Sequence, residues 1–236
     1  MAGALKEYDR NGFLFLAAGI SDSNCKTIDE FERESKLVRE AVANHTDKLF
    51  VFFSTFSIND PMRNTSHYVL HKLAMEQYVE EYCANYLIVR VSNLVGAGGN
   101  PKNVFNFFYN HIVSQRSFSL WANAKRNLIT ADDFAKVLNY IIENELHENR
   151  NSIVNIINSR NFTVQEIVHA IELKTGIAAI YKLEQIESEP HLNDEHATQR
   201  LQKLGIDTEN YLNKILNSYF NKPVTNLHLP GRITNE

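Results

Sequence analysis

Two side chains with acid–base chemistry stand one helical turn apart in the stretch "FFSTFSINDPMRNTSHYVLHK", residues 52–72. Tyr68 and Lys72 are at i and i+4, a spacing that puts both on one face of a helix. A free phenol has a pKa of about 10 and is a poor base at neutral pH. A neighbouring ammonium favours the phenolate and brings it toward the working range. Just upstream an apolar run ends in Ser54 and Thr55, and the Thr55 hydroxyl is placed to bond the same substrate oxygen. The pair alone is a weak signal, since ten tyrosines and thirteen lysines in 236 residues give about half of one Y-x-x-x-K by chance. Its position strengthens it. Ligands of open parallel sheets bind beyond the carboxyl ends of the strands, where Thr55 and the start of the next helix would meet.

The elements that must position these groups follow from hydrophobic patterning. "FLFLAAG" (13–19) is a continuous apolar run ending in small residues and predicts a strand buried on both faces. Residues 29–44 read as a helix with Phe31, Leu37, Val38, Ala41 and Val42 on its apolar stripe. "KLFVFFST" (48–55) predicts a second buried strand, 65–84 a long helix and "YLIVRVSN" (86–93) a third strand. Strands alternating with long helices argue for a parallel sheet with helices on both faces. Helices at 103–115, 131–145 and 163–175, an extended piece at 118–121 and a strand at 152–157 follow. Thr163 and Gly176 are placed to cap and end the last of these helices. Residues 185–236 are polar, with one helix near 208–220.

Composition narrows the function. A net charge of −4 and 44% hydrophobic residues describe a globular chain with no electrostatic reason to bind nucleic acid or an anionic membrane. Cys25 and Cys83 lie far apart and outline neither a zinc site nor a disulfide framework. The first residues carry no signal-peptide core, and the 13–20 run is too short to span a bilayer, so the expected location is the cytoplasm. His67 and His71 have a helical chelating spacing but no convincing third ligand, and "HLNDEH" (191–196) reads as a solvated loop. "GAGG" (96–99) reads as a turn before a phosphate cradle, and Trp121 as packing before a base-stacking platform.

With this context the chain resembles the extended short-chain dehydrogenase/reductases, in the sugar-nucleotide epimerase, dehydratase and reductase branch. "FLFLAAGISD" is similar to that family's "HLAA" strand and loop, "FVFFSTFSI" to its strand carrying the catalytic hydroxyl, and "SHYVLHKLAME" to its "SPYGKSKLAAE" helix. "RVSNLVGAGGN", "KRNLITADDFAKVL" and "SIVNIINSRNFTVQEIVHAI" resemble three later family segments in the right order. The resemblance implies a Rossmann-like α/β core with a small carboxyl-terminal α/β substrate lobe. It implies catalysis by Thr55, Tyr68 and Lys72, and NAD or NADP held by Ala17, Ala18, Gly19, Ser54, Tyr68 and Lys72. A nucleotide-sugar substrate would be contacted by Asn93 and Arg126.

Two departures stand against that pattern. None of the nine glycines forms the family's G-x-x-G-x-x-G turn, although "MAGALKEYD" resembles the end of that loop. Such a turn and the helix behind it hold the pyrophosphate, so weak NAD(P)H binding is expected and the core reads as N-terminally shortened. A cofactor-poor binding or regulatory protein is the alternative reading. Glu34 stands where the family usually carries a structural asparagine. The expected division is a core in 1–100, remaining core elements and the substrate lobe in 101–220, and a surface tail in 221–236. A homodimer through the helices near 27–46 and 65–84 is expected from Val38, Val42, Leu70, Ala74 and Tyr78, which exceed one core-facing stripe.

Overall fold

The computed structural model describes residues 12–17, 19–96 and 99–220. Strand β1 (Phe13–Leu16) leads through a loop to helix α1 (Ile28–Asn44), then β2 (Leu49–Thr55), a 3₁₀ turn (Phe56–Asn59), α2 (His67–Tyr82) and β3 (Tyr86–Val91). β4 (Asn93–Val95), α3 (Val104–Val113), β5 (Phe118–Thr130) and α4 (Ala131–Tyr140) follow. A π turn (Ile141–Glu145) joins α4 to α5 (Leu146–Asn149). The chain ends its described part with β6 (Ser152–Ile156), β7 (Asn161–Thr163), α6 (Val164–Thr175), β8 (Tyr181–Ser188), α7 (Glu195–Lys203) and α8 (Tyr211–Phe220).

β1, β2, β3 and β6 form a parallel sheet in that spatial order. All seven residues of β2 are buried, as expected of a strand covered on both faces. Side chains alternate across a strand, and here both faces are used. Phe50 and Phe52 point to one side, against Val38 and Val42 of α1 and Met75 and Val79 of α2. Leu49, Val51 and Phe53 point to the other side, where Phe134, Leu138 and the later helices close the larger core. The result is Rossmann-like, with helices on both faces.

β1 departs from the expected double burial. Its four residues are half-buried, because among the described residues its only strand neighbour is β2. The aromatic Phe15 still stacks on Phe53, with ring centroids 6.4 Å apart.

The second sheet is centred on β5, a 13-residue strand where a four-residue piece was expected. It pairs in parallel with β4 and β8 and antiparallel with β7. Leu120 and Leu128 of this strand share one hydrophobic core with Val51 and Val89 of the main sheet. α6 carries the expected caps: Thr163 and Glu166 form a reciprocal capping box, and Gly176 ends the helix in the left-handed conformation at φ 69°. α7 lies in the segment expected to be loop; Asp194 caps it by accepting from the Ala197 N–H at 2.8 Å.

Val38 and Val42 sit in the core under the sheet. They therefore do not belong to a surplus apolar face of α1, as the dimer expectation had them. Leu70, 51% exposed, and the exposed Ala74 do lie outside the core on α2.

Candidate active site

The carboxyl ends of β2 and β3 are brought level by the register Thr55↔Val91. β2 stops at Thr55 because its Oγ1 accepts from the Ser57 N–H at 3.1 Å and starts the 3₁₀ turn. Seven residues beyond that turn, Ser66 caps α2 by accepting from the Val69 N–H. That cap places Tyr68 in the first turn and Lys72 one turn on, both buried. Thr55, Tyr68 and Lys72 thus line one cleft of about 930 Å³ at the carboxyl edge of the sheet.

Lys72 is only 2% exposed, and a buried ammonium must be compensated. Its Nζ donates to Glu34 Oε1 at 2.5 Å and to the Phe53 carbonyl at 3.3 Å. Glu34 is fully buried, and its second oxygen lies 3.1 Å from His71 Nε2. His71 in turn packs on Phe31, with centroids 4.8 Å apart. Gly19 completes the cluster. A Cβ there would lie 2.3 Å from Glu34 Oε1 and 3.0 Å from Lys72 Nζ, so a side chain at this position would have to displace the ends of the pair.

These contacts set the electrostatics. Burial pushes the Glu34 carboxyl up, but hydrogen bonds from His71 and the charge and hydrogen bond of Lys72 outweigh it and hold it below the usual range. Burial pulls the Lys72 ammonium down while Glu34 pushes it back up; burial wins. Tyr68 is pushed up to about 12, mainly by burial; the Thr55 hydrogen bond opposes this, and the charges of Glu34 and Asp22 add to it. The Lys72 Nζ lies 6.0 Å from the centre of the Tyr68 ring.

The expected cofactor contacts Ala17, Gly19 and Ser54 also line the cleft; Ala18 lies outside the described residues. The Ser54 hydroxyl is buried and without a hydrogen-bond partner among the described residues. With Lys72 and the side-chain-free Gly19 it suits the ribose and nicotinamide end of a dinucleotide.

The opposite part of the cleft is cationic. Arg126 is buried, bonded to the Lys125 carbonyl at 2.6 Å and Ser188 Oγ at 2.9 Å, and faces Trp121 at 5.6 Å. Burial and then the charge of Arg63 pull its guanidinium down to about 10, against the pull of Asp60, so it remains charged at neutral pH. Asp60 lies 3.9 Å from Arg126 and 3.8 Å from Arg63. Asn93 lines the same cleft and donates through Nδ2 to the Asn127 carbonyl at 2.9 Å. The loop after β1 edges the cleft. It is held there by Lys102 to Asp22 at 2.6 Å and by Arg63 to Ser23 at 2.9 Å.

Among the secondary motifs, "GAGG" turns: the Gly99 N–H donates to the Gly96 carbonyl at 3.2 Å, its two central residues lying outside the described part. His71 is taken by Glu34 while His67 is exposed. Among the described residues no three His, Cys, Asp or Glu side chains converge as metal ligands. No described helix is long and apolar enough to cross a membrane. Sequence reading identified Glu34 as a departure but not as the partner of Lys72. The available signal was its place on the buried stripe, at i, i+4 and i+8 with Val38 and Val42.

No protein of curated function matches the chain. Solved structures similar to it include the Thermus thermophilus UDP-glucose 4-epimerase in complex with NAD, at 14% identity and a TM-score of 0.67, covering 94% of this chain and 81% of that one. A Bacillus cereus UDP-glucuronic acid 4-epimerase variant is similar at 14% identity and TM-score 0.71, covering 92% and 77% of the two chains. The Bacillus anthracis dTDP-glucose 4,6-dehydratase in complex with NAD gives 15%, 0.68, 94% and 76%. At these identities the likeness is one of fold. The sequence match is independent of it, covering residues 38–156, half of the chain, from the middle of α1 to the end of β6. The chain belongs to the NAD dependent epimerase/dehydratase family.

Proposed function

We propose that the protein converts a nucleotide-activated sugar with NAD or NADP as hydride carrier, by epimerisation, dehydration or reduction. The observation that carries this reading is the convergence of Thr55, Tyr68 and Lys72 on one cleft whose far end holds Asn93 and Arg126. A nicotinamide, when bound, supplies the hydride acceptor or donor. The chain's own residues do the rest. Tyr68 moves a proton at a sugar oxygen, and Thr55 orients that oxygen by hydrogen bonding. Lys72 and Ser54 offer donors and a hydroxyl to the ribose beside it, and Asn93 and Arg126 hold the diphosphate or nucleoside. Arg126 suits that role because it keeps its charge and has Asp60 only at 3.9 Å.

Similar solved structures carry UDP-glucose or dTDP-glucose chemistry in their names, so UDP-glucose, UDP-glucuronic acid and dTDP-glucose with NAD and NADP are the first mixtures to assay. Chromatographic detection of a converted sugar nucleotide, lost in Tyr68→Phe, supports the proposal. Nucleotide-sugar binding without conversion in any mixture favours the second reading, a binding protein without turnover. Calorimetry with NADH and NADPH separates the two directly: micromolar binding favours the enzyme, and its absence favours the second reading.

The protein acts as a homodimer through α2 in this reading. Leu70, Ala74 and Tyr78 recur every fourth residue, and Tyr82, 59% exposed, packs its ring at a tilt against Tyr78, with centroids 4.7 Å apart. A monomer mass in light scattering at tens of micromolar would count against it.

A further inference from the structure

The cluster of Glu34, Lys72, His71 and Gly19 sets Lys72 and Gly19 in the wall of the cleft, with Glu34 and His71 directly behind them. We propose that Glu34 is a positioning residue. It holds the Lys72 ammonium and compensates its charge locally, and so sets the cleft to give a proton from Tyr68 to a sugar carbonyl rather than take one from a sugar hydroxyl. The inference rests on the nucleotide-sugar reading above and narrows it to reduction of a keto sugar.

The geometry carries this in three steps. Two of the three Lys72 N–H groups are fixed, one on Glu34 at 2.5 Å and one on the Phe53 carbonyl at 3.3 Å. The third is left for the cleft, which Lys72 lines. The arrangement is close-fitting, because a Cβ at position 19 would meet Glu34 Oε1 and Lys72 Nζ. Finally, the ammonium that would draw the phenol toward ionisation already faces a carboxylate.

Charged neighbours from the other packed elements do not replace it. Glu76 of α2 also acts on Lys72 and is itself bound to Arg90 of β3 at 2.5 Å. Asp22 of the cleft-edge loop adds negative charge near Tyr68 and is paired with Lys102. His71 of α2 faces the second oxygen of Glu34. Burial and these charges leave Tyr68 a phenol at neutral pH.

In the step this implies, a reduced nicotinamide, when bound, would supply a hydride to the carbonyl carbon, whose π electrons would move to oxygen. The oxygen then takes the Tyr68 proton, and water reprotonates the phenolate. The class of reaction that supplies such a substrate is one that oxidises or dehydrates a sugar nucleotide to its keto form.

The test needs no turnover, so its failure is separate from failure of the nucleotide-sugar reading. In the full chain, Tyr68 ionisation is followed by ultraviolet difference against Tyr68→Phe, and Lys72 by ¹³C-lysine NMR assigned with Lys72→Arg. Wild type should show no Tyr68 phenolate at pH 7–8. Glu34→Gln should move both the Lys72 titration and the onset of Tyr68 phenolate to lower pH. If Glu34→Gln does not fold, the double change Glu34→Gln with Lys72→Met removes both charges and should leave the Tyr68 onset at the wild-type pH, while Lys72→Met alone raises it. Tyr68 phenolate in wild type at neutral pH, unchanged titrations in Glu34→Gln, or a displaced onset in the double variant would each overturn the proposal.

Discussion

The two ends of the cleft hold their cations in opposite ways. At the floor, Lys72 touches a fully buried carboxylate at 2.5 Å, and that carboxylate is shared with His71. At the far end, Arg126 has its nearest carboxylate at 3.9 Å, and the same carboxylate must serve Arg63. One positive charge is compensated inside the protein. The other has charge left over for an anion that arrives from outside. On the proposed function, this difference separates a place where protons would be managed from a place where a phosphate would be held.

The largest expected effect follows from breaking the compensated end. Glu34→Ala removes the partner of a buried ammonium, and breaking a buried pair in that way costs about 3–5 kcal/mol. Urea unfolding should show that loss. Lys72→Met added to it should recover part, because the orphaned charge is then gone. A Glu34→Ala protein as stable as wild type would mean that water reaches Lys72 and that the floor is not closed.

Tyr68→Phe comes next. It keeps the ring that packs with Ile20 and Val69 and removes the transferable proton, so turnover should fall by about 10² or more. Nucleotide-sugar affinity, assigned to the other end, should stay within a few-fold of wild type. Arg126→Ala should do the reverse. A charge-assisted hydrogen bond is worth about 1.5–3 kcal/mol, or roughly 10–100-fold in affinity, and the loss should shrink as salt is raised. If the two variants lower affinity equally in calorimetry, the cleft is not divided as described.

The two ends also differ in how far they could be read without a structure. Tyr68, Lys72 and Thr55 were legible because an i, i+4 pair and a strand end are local features, and "LFVFFST" has no reading but a doubly covered strand. Glu34 lies 38 positions from Lys72, and only its place on a buried stripe hinted that it needed a cation. The lobe around Arg126 was harder. "ANAKRN" has neither alternation nor β propensity, and becomes the middle of β5 because β4, β7 and β8 all pair with that strand. α7 was missed for the same kind of reason: it buries only Ala197, Arg200 and Leu201, with Arg200 held by Glu145 at 2.7 Å. Tertiary partners, not local pattern, decide such segments.

The smallest effect sharpens the comparison from the acid side. The Glu34 carboxyl is held below its ordinary range by His71 and Lys72 against the push of burial. A depressed carboxyl contributes stability that is fully present above its unfolded pKa of about 4.3 and is lost as pH falls through the folded value. Glu34→Gln has no such titration. Asp133 is also held low, by Lys214, Tyr211 and Thr130 against burial, but it titrates in both proteins and cancels in the difference. The gap between wild type and Glu34→Gln in urea unfolding should therefore be constant from about pH 5 upward to neutrality and narrow steadily below pH ~4. Arg126→Ala, whose nearest carboxylate Asp60 is shared and more distant, should show no comparable narrowing. A gap for Glu34→Gln that does not change with acid would mean that its carboxylate is not ionised against Lys72, and the distinction between the two ends of the cleft would fall.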